Sequence, residues 1–191
     1  AVRLGRPDGQ FSAPATYDSG GSGAIWLAAG DLNGDGHRDL AVANYRRQNL
    51  GILFGNGDGT LAAPPTFGSG YTGAAAVAVG DFNEDGCLDL AAVHRESAVV
   101  GIRLGNGDGT FAAVDSYGTG AAGPASVAVG DFNRDGHQDL AIGNAGGNTV
   151  GILLGQGDGT FDGVVTYSTG GNSPQAVATG DFNGDGRPDL A

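Results

Sequence analysis

Hydrophobic positions along the chain alternate with polar or small ones in short runs, and the runs come back. "VAVG" and "VGIRLG" place apolar side chains at every second position, and "DLAAV" and "TFAAVDSY" are short stretches bounded by Gly, Asn and Asp. Helical spacing of three and four never persists over ten residues. Over residues 74–123 the pattern predicts four strands, near 74–80, 89–94, 99–105 and 110–117. They are joined by an acidic loop, a variable loop, the tight turn "GNGDGT" and a glycine-rich loop. The unit recurs every 50 residues, which predicts a single repeat domain over 1–191 with units at about 1–23 (partial), 24–73, 74–123, 124–173 and 174–191 (partial).

Aromatic residues follow the same period. Tyr17, Phe67, Tyr117 and Tyr167 are equivalent, as are Phe11, Leu61, Phe111 and Phe161, and Leu32, Phe82, Phe132 and Phe182. Residues that recur in every unit are read as core, each hiding roughly 150 to 250 Å² if an aromatic ring is covered. One four-stranded unit cannot cover them alone, so the units pack face to face. The predicted fold is all-β, a β-propeller of about four 50-residue, four-stranded blades or a section of a larger propeller or array. Residue 1 aligns with residue 51, so the first residues read as a third strand, and Ala191 aligns with Ala41 in a second strand. An N-terminal strand could complete the last unit, or the units need neighbours or other copies.

Composition narrows the function. The 39 glycines have no triplet period and read as turn punctuation. Net charge is −12, and all nine basic residues are arginines. Nucleic acid is therefore not an expected partner, since phosphate binding needs a basic stripe. No apolar run is long enough to predict a membrane span. Cys87 is the single cysteine, so no internal disulfide is formed, and a lone thiol on a surface loop is expected.

The acidity is concentrated in four nine-residue loops, "DLNGDGHRD", "DFNEDGCLD", "DFNRDGHQD" and "DFNGDGRPD", starting at Asp31, Asp81, Asp131 and Asp181. Oxygens at positions 1, 3, 5 and 9 can converge if the chain curls around a point, with the glycine at position 6 permitting the turn. Hard oxygen ligands of this kind suit Ca²⁺. The predicted ligands are Asp31, Asn33, Asp35 and Asp39; Asp81, Asn83, Asp85 and Asp89; Asp131, Asn133, Asp135 and Asp139; and Asp181, Asn183, Asp185 and Asp189. Position 7 is expected to add a backbone carbonyl, from His37, Cys87, His137 and Arg187, with their side chains pointing away as exposed passengers. An EF-hand needs Glu at position 12 between helices, whereas Val42, Ala92 and Ile142 stand there on strands. Dockerin and nonapeptide-coil spacings also fail. In "GNGDGT" the Gly-flanked Asn and Asp suit a hairpin turn, with a weak second metal site as the other reading.

"VAVGDFNEDGCLDLA" followed by "GIRLGNGDGTF" resembles the FG-GAP or VCBS repeats of integrin α-subunit propellers and many bacterial extracellular proteins. The resemblance runs through almost the whole chain and implies a propeller with one calcium in a hairpin loop of each blade, about four ions in all. Where integrins have Gly-Ala-Pro after the second strand, this chain reads "VANY", "AVHR" and "IGNA", so it looks more like the bacterial repeats.

Strands running up and down put the acidic loops and "GNGDGT" turns at one end and the variable segments at the other. The variable end is the expected ligand site, with Tyr45, Arg46, Arg47, His94 and Arg95 at equivalent places and Trp26 and Tyr71 near the glycine-rich loops. Aromatic and arginine side chains can stack on sugars or pair with carboxylates. Catalysis is not expected, because the paired aspartates are committed to metal and His94 has no repeated nucleophile beside it. The reading is a non-catalytic, calcium-binding module at the cell surface or outside the cell, where calcium is millimolar, recognising a glycan or protein. The alternative is a building block of an extracellular filament or surface layer, its partners being other copies of itself.

Overall fold

The computed structural model describes residues 1–63 and 65–191, and no helix occurs among them. The first four-stranded sheet comprises β1 (Ala24–Gly30), β2 (Asp39–Asn44), β3 (Asn49–Leu53) and β4 (Thr66–Gly68). The second comprises β5 (Ala74–Gly80), β6 (Asp89–His94), β7 (Val99–Arg103) and β8 (Asp115–Gly118). The third comprises β9 (Pro124–Gly130), β10 (Asp139–Asn144), β11 (Thr149–Leu153) and β12 (Val165–Ser168), and β13 (Thr179–Gly180) pairs with β14 (Asp189–Leu190) in a two-stranded sheet. All neighbouring strands are antiparallel and in chain order. Ahead of them, residues 1–17 form a looser antiparallel arm bridged at Val2–Ala15 and Gly5–Phe11.

The sheets stack in sequence, β1 against β5 and β5 against β9. Because side chains alternate across a strand, the central strand β6 sends Leu90 and Ala92 toward the first sheet and Ala91 and Val93 toward the third. Both faces of β6 are consequently buried. Leu50, Ile52, Leu90, Val100, Leu140 and Ile142 fill the two intersheet layers with 2% exposure or less. Each contributes roughly 1.5 to 3 kcal/mol. The aromatics join units edge to face: Phe67 meets Phe111 at 5.3 Å, and Phe161 meets both Phe82 at 5.6 Å and Tyr117 at 5.5 Å.

Two expectations change. The third strand of the middle unit stops at Arg103 rather than 105, and the fourth begins at Asp115 rather than 110. The Gly105 amide leaves the ladder to donate to the Asp89 carboxylate at 2.7 Å, so only a single bridge, Gly105–Phe111, survives beyond it. The repeated aromatics are core only where a neighbouring unit covers them. Phe82 and Phe161 are buried, whereas Phe11, Tyr167 and Phe182 are 64%, 60% and 62% exposed.

Candidate functional site

Each acidic loop is folded by its own carboxylates. In the first, Asp31 accepts the amides of Asp35 at 3.1 Å and Gly36 at 2.9 Å, and Asp35 accepts the His37 amide at 2.8 Å and the Asn33 side-chain amide at 2.9 Å. The pattern repeats around Asp81, Asp131 and Asp181. The turn needs left-handed backbone at position 6, where Gly36, Gly86, Gly136 and Gly186 have φ of 85°, 86°, 96° and 78°. Position 4 is left-handed too, although Glu84 and Arg134 are not glycine, at 58° and 65°. Amide donors favour the charged carboxylate, so the His37, Cys87 and His137 amides lead in holding Asp35, Asp85 and Asp135 below the usual carboxylate range.

Position 9 has a second role that the spacing did not reveal. Asp39 is fully buried and accepts the Leu32 amide on one oxygen and the Gly55 amide on the other, each at 2.8 Å. Asp89 and Asp139 repeat this clip with Phe82 and Gly105, and with Phe132 and Gly155. Burial pushes the carboxyls of Asp89 and Asp139 upward, with the amides opposing it. Gly55, Gly105 and Gly155 are required by the close approach, since a Cβ there would stand 2.2 to 2.3 Å from the carbonyl of Arg38, Leu88 or Gln138. Equivalent Asp–Gly pairs 16 residues apart were the signal in the sequence.

Of the position-7 side chains, that of His37 is exposed as expected, whereas Cys87 and His137 are half-buried. Those of His37, Cys87 and His137 cover Gly57, Gly107 and Gly157 of their own unit's turn, and His137 also pairs with Glu84 of the preceding loop. Burial and then Asp85 raise the Cys87 thiol. Arg187 is exposed. In the "GNGDGT" turns and their equivalent "GQGDGT", Asp58, Asp108 and Asp158 accept the amides of Thr60, Thr110 and Thr160 at 2.8 to 2.9 Å, which is turn chemistry.

The donor set suits a hard divalent cation: three carboxylates and an amide oxygen per loop, and each oxygen of the first loop accepts one bond, which leaves it a second lone pair. Among the described residues, however, no three acidic, histidine or cysteine side chains are already gathered around a common point.

The acidic loops and the tight turns meet across units at one end of the stack. The Gly109 amide donates to the Leu32 carbonyl at 3.1 Å and Gly159 to Phe82 at 2.9 Å. At the other end, Tyr45, Arg95 and Ala145 donate to the carbonyls of Gly23, Gly73 and Gly123 at 2.9 to 3.0 Å, which ties each variable loop to the glycine-rich loop that closes the preceding unit. Tyr45 reaches Glu96 of the next unit at 3.0 Å, Tyr71 reaches Ser116 at 2.8 Å, and Arg46, Arg47 and Arg95 are exposed. His94 does not belong to this surface. It is fully buried, neither ring nitrogen has a hydrogen-bond partner, and burial lowers its pKa to about 4 against a smaller opposing effect of the Tyr71 backbone. Trp26 likewise turns from the ligand end to pack on the intersheet core.

The FG-GAP-like repeat matches residues 31–92, 88–142 and 131–191, so its spans together run from the first acidic loop to Ala191. The chain belongs to the FG-GAP-like repeat family. No curated protein matches it. Among solved structures, this FG-GAP-like chain is similar to a lectin of Agrocybe aegerita described for specific recognition of non-reducing terminal N-acetylglucosamine. Identity is 24% and the TM-score 0.58, over 85% of this chain and 44% of the lectin. It is also similar to the Tc holotoxin pore of Photorhabdus luminescens, at 20% identity and a TM-score of 0.50, over 98% of this chain and 9% of that one. The chain thus spans under half of either structure, and the likeness is one of fold.

Proposed function

We propose that this FG-GAP-like chain is a non-catalytic, calcium-stabilised recognition module that works outside the cell, its sheets serving as propeller blades and its ligand being a glycan. The separation of the two ends carries the reading. A repeated amide–carboxylate network occupies one end, while the loops that differ between units occupy the other and carry Tyr45, Arg46, Arg47 and Arg95. Asp31, Asn33, Asp35 and Asp39, with their equivalents, would hold the ions; Ca²⁺ supplies positive charge among carboxylates otherwise left to repel one another. Sites of this charge and exposure fit affinities of about 10⁻⁴ to 10⁻³ M, which are met where calcium is millimolar.

The fold shared with a lectin favours a glycan over a protein ligand. Three exposed arginines on a chain of net charge −12 favour an anionic one. The test is a glycan array in millimolar calcium containing anionic and N-acetylglucosamine-terminated glycans. Arg46→Ser, Arg47→Ser and Arg95→Ser together should weaken binding at least about tenfold while the calcium-dependent melting temperature stays as in the parent. A triple variant that binds like the parent, or a parent that binds no glycan, refutes the proposal.

A further inference from the structure

We infer, building on the calcium reading of the acidic loops, that the tight turn of each unit positions the acidic loop of the unit before it, so that a calcium site is shared between two units. The turns "GNGDGT" at 105–110 and "GQGDGT" at 155–160 recur as strictly as the acidic loops. Their internal hydrogen bonds account for their shape alone. Asp108 accepts the Thr110 amide at 2.9 Å and hydroxyl at 2.6 Å, and Asp158 does the same for Thr160 at 2.9 and 2.5 Å.

What the shape serves lies across the unit boundary. The Gly109 amide donates to the Leu32 carbonyl at 3.1 Å, and Gly159 to Phe82 at 2.9 Å. Leu32 and Phe82 stand at position 2 of their loops, between the ligands proposed at positions 1 and 3. Their own amides donate to the position-9 ligands, Asp39 at 2.8 Å and Asp89 at 2.7 Å. Position 2 is therefore held through both of its backbone groups, one by a ligand of its own loop and the other by the turn of the next unit.

The contact is close as well as polar. Gly109 and Gly159 are buried although they sit in tight turns, with φ of 82° and 85°. A Cβ on either would stand 3.5 Å from the Cβ of the position-3 ligand, Asn33 or Asn83. From the loop side, a Cβ on Gly34 would stand 3.1 Å from the Gly107 carbonyl. Between the second and third units the His137 side chain, which lies over Gly157, also pairs with Glu84 of the preceding loop. The neighbour thus fixes backbone between three of the four side-chain ligands. Part of the ordering that an ion would otherwise impose is already done, which raises affinity. The dependence is staggered by one unit: the turn at 105–110 serves the loop at 31–39, and the turn at 155–160 serves the loop at 81–89.

The experiment is a calcium chloride titration of the isotope-labelled 191-residue chain by amide NMR. Gly36, Gly86 and Gly136 report one loop each, because each donates to the position-1 aspartate of its own loop. Asp108 and Asp158 are exposed, so their replacement leaves the core intact. Asp108→Ala should raise the calcium midpoint at Gly36 at least about fivefold, and Asp158→Ala the midpoint at Gly86, with smaller changes at the other two reporters. Gly159→Ala, whose Cβ would stand 2.9 Å from the Leu104 side chain, should also raise the Gly86 midpoint by lifting the turn. Asp108→Asn and Asp158→Asn keep the acceptor oxygen without the charge and should restore the parent midpoints, which separates a brace from a second metal ligand. Variants that titrate like the parent, equal shifts at all three reporters, or asparagine variants that fail to restore the midpoint overturn the shared site and leave the calcium reading standing. A parent whose three reporters ignore calcium overturns both.

Discussion

At the scale of single residues, the position just inside the variable end decides how firmly each loop is tied. Asn44 donates to the Ser19 carbonyl at 3.0 Å and Asn144 to Thr119 at 2.7 Å. His94 takes that place in the middle unit and is buried without a partner. With a folded pKa of about 4 against 6.5 in the unfolded chain, it takes up a proton on unfolding between those values. Stability is therefore complete above about pH 6.5 and is lost as pH falls toward 4, by up to about 3 kcal/mol from this group. His94→Asn should flatten that part of the melting-temperature profile; a variant with the parent's slope would refute the assignment. The proposed calcium ligands are testable by a comparison within one loop. Asp85→Ala removes a charged oxygen donor and should lose one site by calorimetry, whereas Cys87→Ser, which alters a side chain lying over Gly107, should lose none. Equal loss in both would contradict the ligand set.

The element that repeats most strictly is the clip between the start of the second strand and the end of the third. Asp89 holds the amides of Phe82 and Gly105, and the Gly105 backbone lies on the Leu88 carbonyl. It joins the acidic loop to the tight turn, so the acidic-loop end of each four-stranded sheet is cross-tied by its own backbone amides. A Cβ at residue 105 would stand 2.3 Å from backbone that has little room to yield. Gly105→Ala should cost about 2 to 3 kcal/mol in denaturant unfolding, against nearly nothing for Gly5→Ala, whose surroundings are open. Similar losses in the two would show that the close approach is not what the glycine serves.

For the whole molecule, charge and stacking act together. Most of the acidic residues behind the net charge of −12 lie in loops at one end of the sheets, a concentration that repels itself in the absence of cations. The sheets are held by apolar layers and a few hydrogen bonds between units, with His137–Glu84 the single ion pair among the described residues. Millimolar calcium should therefore raise the melting temperature by several degrees over excess chelator, as expected if ion binding adds about 1 to 3 kcal/mol. An unchanged midpoint would remove calcium as a structural ligand.

The sequence by itself determined the strands, the 50-residue unit and the acidic loops, because alternation, Gly-bounded turns and recurring carboxylates are local properties that each copy states again. It also marked the family through "DFNEDGCLD" and its equivalents. Tertiary structure alone decided what each recurring residue does. Phe161 is core and Phe11 is surface, although they are equivalent, because Phe82 and Tyr117 of the neighbouring unit cover only Phe161. His94 lies in the interior rather than at the expected ligand end, fully buried with the Tyr71 ring 5.6 Å from its own. Asp39 gained a clip with Gly55 because the β2–β3 hairpin brings residues 16 apart in sequence side by side. Burial and partnership depend on which units lie alongside, and a repeat pattern fixes the unit without fixing its neighbours.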